Sequence, residues 1–215
     1  MLQWGDTANM GPLWTRLWIY GASGSGKSIC ASQFPSPFFL LVHNENSEVS
    51  LRGMPIRYAK VGVPPQGSRA DTIVPVRKDI AELLNFLLVA RDQGTLHSQL
   101  GQTLVIDNMP HLNDMVVAEI SDLILVQGDK KGQMHKQKWG LLRNFYMHLR
   151  DVLWQLPMHV IFVSHAVKTK DASNTVTYAG PQLQGAGADL LPSSCDALGY
   201  CEQDSKGVRA VHFQK

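Results

Sequence analysis

The chain has 215 residues, of which 44% are hydrophobic and 18% charged, the balance of one globular domain able to bury a substantial core. Twenty basic against eighteen acidic residues leave a formal charge of +2, so the overall field cannot hold a nucleic acid and local clusters would have to do so. Three cysteines, Cys30, Cys195 and Cys201, form no CxxC pair and are an odd number, which argues against a disulfide scaffold and for a reducing compartment.

In chain order, the opening MLQWGDTANMGPLWTRLWIYG has no basic stretch followed by an apolar run, so it does not read as a secretory leader. Trp14 to Tyr20 is predicted as a first strand that runs into a glycine-rich turn, and Lys27 to Gln33 as a short helix ended by Phe34-Pro35-Ser36-Pro37. Phe38 to His43 reads as a second buried strand and Met54 to Val61 as a candidate short one outside the count of core strands, before the loop PPQGSRAD. From Lys78 to Arg91, Ile80, Leu83, Leu84, Leu87 and Leu88 recur at the spacing of an amphipathic helix that covers a sheet face. Thr103 to Ile106 is a strand ending at Asp107, Met109 to Leu125 a helix, Gln127 to Lys138 a polar loop, and Trp139 to Leu156 a helix. His159 to Ser164 is a further strand, Val167 to Gly187 a long polar loop, and Ala197 to Tyr200 with Val208 to Phe213 a closing pair. Strands alternating with helix-length segments predict an α/β fold, with a mostly parallel central sheet flanked by helices, and residues 1–215 read as one domain. No apolar stretch approaches the roughly 20 residues of a membrane helix, so a cytoplasmic location without membrane contact is expected.

The chemistry starts at Gly21-Ala22-Ser23-Gly24-Ser25-Gly26-Lys27-Ser28, which fits G-x-x-x-x-G-K-[ST] between a predicted strand and a predicted helix. At average glycine usage a chance match in such a chain occurs about once in a hundred sequences, before the strand and helix are counted. Glycines let successive backbone N–H groups turn toward phosphate oxygens, and the start of the helix adds positive potential. Lys27 is expected to reach the β and γ phosphates, and Ser28 to offer its hydroxyl to Mg²⁺. ATP and Mg²⁺ are the cofactors expected.

Asp107, at the end of the apolar run Leu104-Val105-Ile106, is the expected second magnesium residue, with Asn108 beside it. Glu45 follows the second strand and should emerge at the carboxyl edge of the sheet, where ligands of open α/β sheets bind. There it could orient an attacking water as catalytic base, and Glu48 competes for that role. His165, just past the strand His159 to Ser164, is a candidate donor to the γ-phosphate.

Taken together, GASGSGKS, then FPSPFFLLVHNEN with Glu45, TLVIDNM with Asp107 and HVIFVSHA with His165 occur in the order of a RecA-type ATPase. The chain most resembles the short phage RecA-like proteins of recombination and single-strand annealing, and the helix WGLLRNFYMHLRDVLWQLP is similar to theirs as well. Where the RecA pattern carries glutamine at the end of the fourth core strand, this chain carries His165. The resemblance implies a RecA-like P-loop NTPase fold, ATP hydrolysis, single-stranded DNA as ligand, a homo-oligomeric ring or filament, and a phage or host single-strand-binding protein as partner. It also implies a phage gene expressed in a bacterial cytoplasm. In such a fold the loops after the third and fourth strands line the DNA path. Lys130, Lys131, Lys136 and Lys138 in Gln127 to Lys138 would then contact phosphates, as would Lys168 and Lys170 in Val167 to Gly187, while Tyr178 would stack on a base. The family also carries basic residues that reach the neighbouring subunit's nucleotide, for which Arg209 and Lys215 are the candidates.

Two other classes share the P-loop. A small-molecule or nucleoside kinase would need an arginine-rich lid, which the sequence does not contain, and a nucleotide-dependent adaptor would bind ATP without turnover.

Overall fold

The computed structural model describes residues 13–43, 48–69, 72, 74–124, 130, 132–170, 176–183, 185 and 187–214. Strand β1, Arg16–Gly21, is followed by helix α1, Lys27–Ser32, and by β2, Pro37–Val42. A 3₁₀ turn at Val49–Leu51 leads to β3, Arg57–Val61, then to α2, Val76–Asp92, and the short α3, Leu96–Leu100. Next come β4, Thr103–Asp107, α4, Met109–Ser121, and α5, Lys136–Leu153. The chain continues with β5, His159–Lys170, β6, Val176–Pro181, α6, Gly187–Ser194, and the hairpin of β7, Ala197–Gln203, with β8, Arg209–Gln214.

The strands lie in the order β3-β2-β4-β5-β1-β7-β8, with β6 paired to β5 outside that path. All neighbours along the path run parallel except β7 and β8, which are antiparallel, as are β5 and β6. A parallel sheet covered on both faces needs strands that are apolar at every position. In β1, Trp18 and Tyr20 join the larger core under α2 to α6, while Leu17 and Ile19 join a smaller core with α1 and the 3₁₀ turn. Leu40, Leu104 and Phe162 repeat the first pattern, and Leu41, Val105 and Ile161 the second. Five helices therefore cover one face and α1 stands on the other, directly after the P-loop.

Two predicted loops are in part regular structure. α5 begins at Lys136 and not at Trp139, because Lys and Gln are good helix formers and Lys138 is fully buried, donating to the Ser121 carbonyl at 3.1 Å. The stretch after Ser164 is not a loop from Val167 onward: β5 continues to Lys170 and pairs with β6 as a two-stranded ribbon. α3 and α6 are additions that the sequence reading did not contain. Among the described residues no helix is long and apolar enough to cross a membrane.

Candidate functional site

β1 ends at Gly21, which stands between His165 of β5 and Cys201 of β7 in parallel register. A side chain at Gly21 would run into the Cys201 carbonyl, so close strand packing requires glycine there. The loop then turns through Gly24 and Gly26 at φ 78 and φ 93, left-handed conformations that glycine adopts without strain. Ala22, Ser23 and Gly24 are exposed, which leaves their backbone facing solvent where phosphates would lie. Ser25 is buried, and its hydroxyl has no hydrogen-bond partner among the described residues.

Lys27 is the buried cation of the site. Its ammonium donates to the Ala22 carbonyl at 2.7 Å and the Gly21 carbonyl at 3.2 Å, so it is folded back along its own loop. Burial lowers its pKa, and the charges of Asp107 and Cys201 oppose that shift. The Ser28 hydroxyl donates to Asp107 Oδ2 at 2.6 Å, joining the first residues of α1 to the last residue of β4. Burial raises the Asp107 carboxyl above the usual carboxylate range, and the Ser28 hydrogen bond and Lys27 work against it. Asn108 is occupied as the N-cap of α4, its Oδ1 accepting from the His111 N–H at 2.9 Å.

His165 is half-buried beside Gly21. Burial first and Lys27 second lower its pKa, which keeps the imidazole neutral with one N–H to donate. The strand that carries it is fixed from below by Trp18 Nε1, which donates to Ser164 Oγ at 2.8 Å. Ser23, Gly24, Lys27, Ser28, Asp107 and His165 border a cavity of about 350 Å³, together with Val49 and Ser50 of the 3₁₀ turn. Val49 and Ser50 are residues that the sequence reading missed. Nothing in their side chains marks them; their position shortly after the second strand and Glu45 was the available signal.

The oxygen pair of Ser28 and Asp107 fits Mg²⁺, which takes hard oxygen ligands and is held by one or two protein groups together with substrate phosphates. Among the described residues no group of three or more His, Cys, Asp or Glu side chains gathers into a metal cage. Below the loop, Cys30 of α1 and Cys201 of β7 pack in the same small core, and the interaction of the two thiols lowers Cys30 to about 7 and pushes Cys201 up.

Glu45 lies outside the described residues. Its competitor Glu48 is engaged elsewhere, ion-paired to Lys60 and accepting from the Tyr58 hydroxyl at 3.1 Å. Of the lysines expected on DNA, Lys130 and Lys136 are exposed and Lys131 falls outside the described residues. Lys138 is a correction: it is buried against Ser121 and has no access to a ligand. Lys168 and Lys170 sit on the extension of β5, just past His165, and Tyr178 is opposite Thr169 on β6. Lys215 falls outside the described residues, while Arg209 packs on Gly26 of its own chain.

The sequence profile described as an AAA domain matches residues 14–215. Among curated proteins none matches the chain in sequence. Among solved structures, the KaiC-like protein from the hyperthermophilic archaeon Pyrococcus horikoshii aligns with a TM-score of 0.50 at 12% identity, over 94% of this chain and 78% of that one. That likeness concerns the fold, a RecA-like P-loop NTPase architecture with a mostly parallel sheet between helices. Because the profile spans nearly the whole chain and the P-loop folds back over Lys27 beside the paired Ser28 and Asp107, this chain belongs to the AAA domain family of P-loop ATPases.

Proposed function

We propose that this protein is a Mg²⁺-dependent ATPase that grips single-stranded DNA as a homo-oligomer when ATP is bound and releases it after hydrolysis, in phage-type recombination in the cytoplasm. The observation that carries the reading is the Ser28 to Asp107 hydrogen bond of 2.6 Å next to Lys27, two oxygens and a cation converging at one sheet edge. Substrate phosphates would draw Lys27 off the Gly21 and Ala22 carbonyls onto the β and γ oxygens, exchanging two neutral acceptors for charged ones. Ser28 and Asp107 would hold Mg²⁺, which supplies charge neutralisation on the phosphates when bound. Glu45 would orient the attacking water, and neutral His165 would donate to the γ-phosphate and carry its presence into the β5–β6 ribbon.

Lys130, Lys131, Lys136, Lys168 and Lys170 would meet DNA phosphates, and a single-strand-binding protein would be a partner on the same DNA. Supporting this assignment, β5 carries Lys168 and Lys170 outward from the same edge at which His165 stands, so occupancy of the P-loop and the posture of the ribbon share one strand. The test is fluorescence anisotropy of a labelled single strand with ATP, with ADP and without nucleotide. Wild type is expected to bind more tightly with ATP and to lose affinity steeply with salt, and Lys27→Ala to show no response to ATP. DNA affinity indifferent to nucleotide in wild type would move a kinase or an adaptor ahead of this reading.

A further inference from the structure

Arg209 opens β8, the edge strand, and stands opposite Gln203 of β7. β7 in turn lies along β1 with Cys201 beside Gly21, so the start of β8 reaches the same carboxyl edge as the P-loop. It does so on the flank of β1 opposite β4 and β5, the strands of Asp107 and His165. Alternation along β8 puts Arg209 on the face of Val211, which packs with Cys201 and Ala31 on the α1 side of the sheet. There its stem lies on the loop: a Cβ at Gly26 would come 2.6 Å from Arg209 Cδ and 3.1 Å from Nε. Gly26, at φ 93, therefore both makes the turn and leaves room for the arginine.

The guanidinium of Arg209 has no carboxylate or carbonyl partner among the described residues. The acids of its own hairpin are engaged, Glu202 with His212 at 2.8 Å and Asp204 with the backbone N–H groups of Lys206 and Val208 at 2.8 and 2.9 Å. A permanently charged fork of donors held against a phosphate-binding loop, without a counter-charge, is arranged for an anion.

We propose that Arg209 is a nucleotide-binding residue acting in cis, its guanidinium engaging the α-phosphate of the nucleotide held on the P-loop of the same chain. The inference rests on the nucleotide-binding reading of that loop and replaces the expectation that Arg209 reaches a neighbouring subunit. Ser28 and Asp107 meet on the other flank, so Arg209 acts away from the magnesium, on the part that ATP and ADP have in common. Its removal then weakens both nucleotides by one factor.

The experiment is calorimetric titration of Mg-ADP and of a non-hydrolysable Mg-ATP analogue into wild type, Arg209→Ala, Arg209→Lys and Lys27→Ala. It is repeated on an equimolar mixture of the Arg209→Ala and Lys27→Ala chains. Arg209→Ala is expected to lose about tenfold in affinity for both nucleotides, Arg209→Lys to lose less, and the mixture to recover nothing. Arg209 is exposed on an edge strand, so unchanged melting is expected and is checked alongside. Wild-type affinity in Arg209→Ala, or recovery in the mixture, overturns the inference while the nucleotide site stands. Failure of wild type to bind nucleotide, or binding that does not need Lys27, overturns both readings together.

Discussion

At the scale of single residues, the site is a set of charges held by burial and local hydrogen bonds. Lys27 is stored on its own loop, and Asp107 is kept in place by Ser28 against the cost of desolvating a carboxylate. The sequence made these residues legible because phosphate binding requires a fixed spacing of glycine, lysine and hydroxyl in eight positions. Arg209 was legible only as a basic residue near the end, since its contact with Gly26 depends on a hairpin returning to the loop from far along the chain. His159 gives a residue-scale prediction away from the site. Its Nδ1 accepts the Thr15 N–H at 3.1 Å, which a protonated ring cannot do, and burial followed by the charge of Arg16 lowers its pKa. A lowered histidine pKa means that the unfolded chain binds more protons, so this contribution to stability is complete above the unfolded value of about 6.5 and is lost as pH falls through the lower folded one. Between pH 7.5 and 5, approximately, the urea midpoint of wild type should fall more than that of His159→Gln; parallel declines would count against this assignment.

At the scale of elements, long periodic segments declared themselves and short or polar ones did not. α2 was legible because Ile80, Leu84 and Leu87 face the core at helical spacing, and the structure buries all three. α3 and α6 are too short for that periodicity to appear, and Pro192 sits inside α6. The β5–β6 ribbon leaves the sheet, so its Lys and Thr content reads as loop although its backbone is paired. The first turn of α5 was misread for a related reason, a lysine counted as solvated when its amine ties α5 to the end of α4. Lys138→Ala should therefore lower stability by about 1–3 kcal/mol in urea denaturation, because the Ser121 carbonyl loses a charged donor. Lys136→Ala, at an exposed position of the same turn, should leave stability unchanged. Equal stability of the two variants would contradict the anchoring role. Arg16 makes a comparable tie at the opposite sheet edge, donating to the Met158, Leu156 and Trp154 carbonyls at 2.7, 3.0 and 3.3 Å.

At the scale of the whole molecule, the strand order explains why one edge carries all the chemistry. Parallel strands place their carboxyl ends together, so Gly21, Asp107 and His165 meet although they are far apart in the chain. That convergence was legible from the alternation of strands and helices, whereas the placement of β7 and β8 beyond β1, and hence a second cation over the loop, came from the topology alone. The family match establishes the P-loop ATPase class, and assembly and DNA binding belong to the proposal built on it. The central claim is tested most directly by phosphate release from ATP with magnesium, measured for wild type and Lys27→Ala with and without single-stranded DNA. The expected result is release by wild type that DNA stimulates and that Lys27→Ala abolishes. Release that is absent from wild type, or that survives Lys27→Ala, would contradict it.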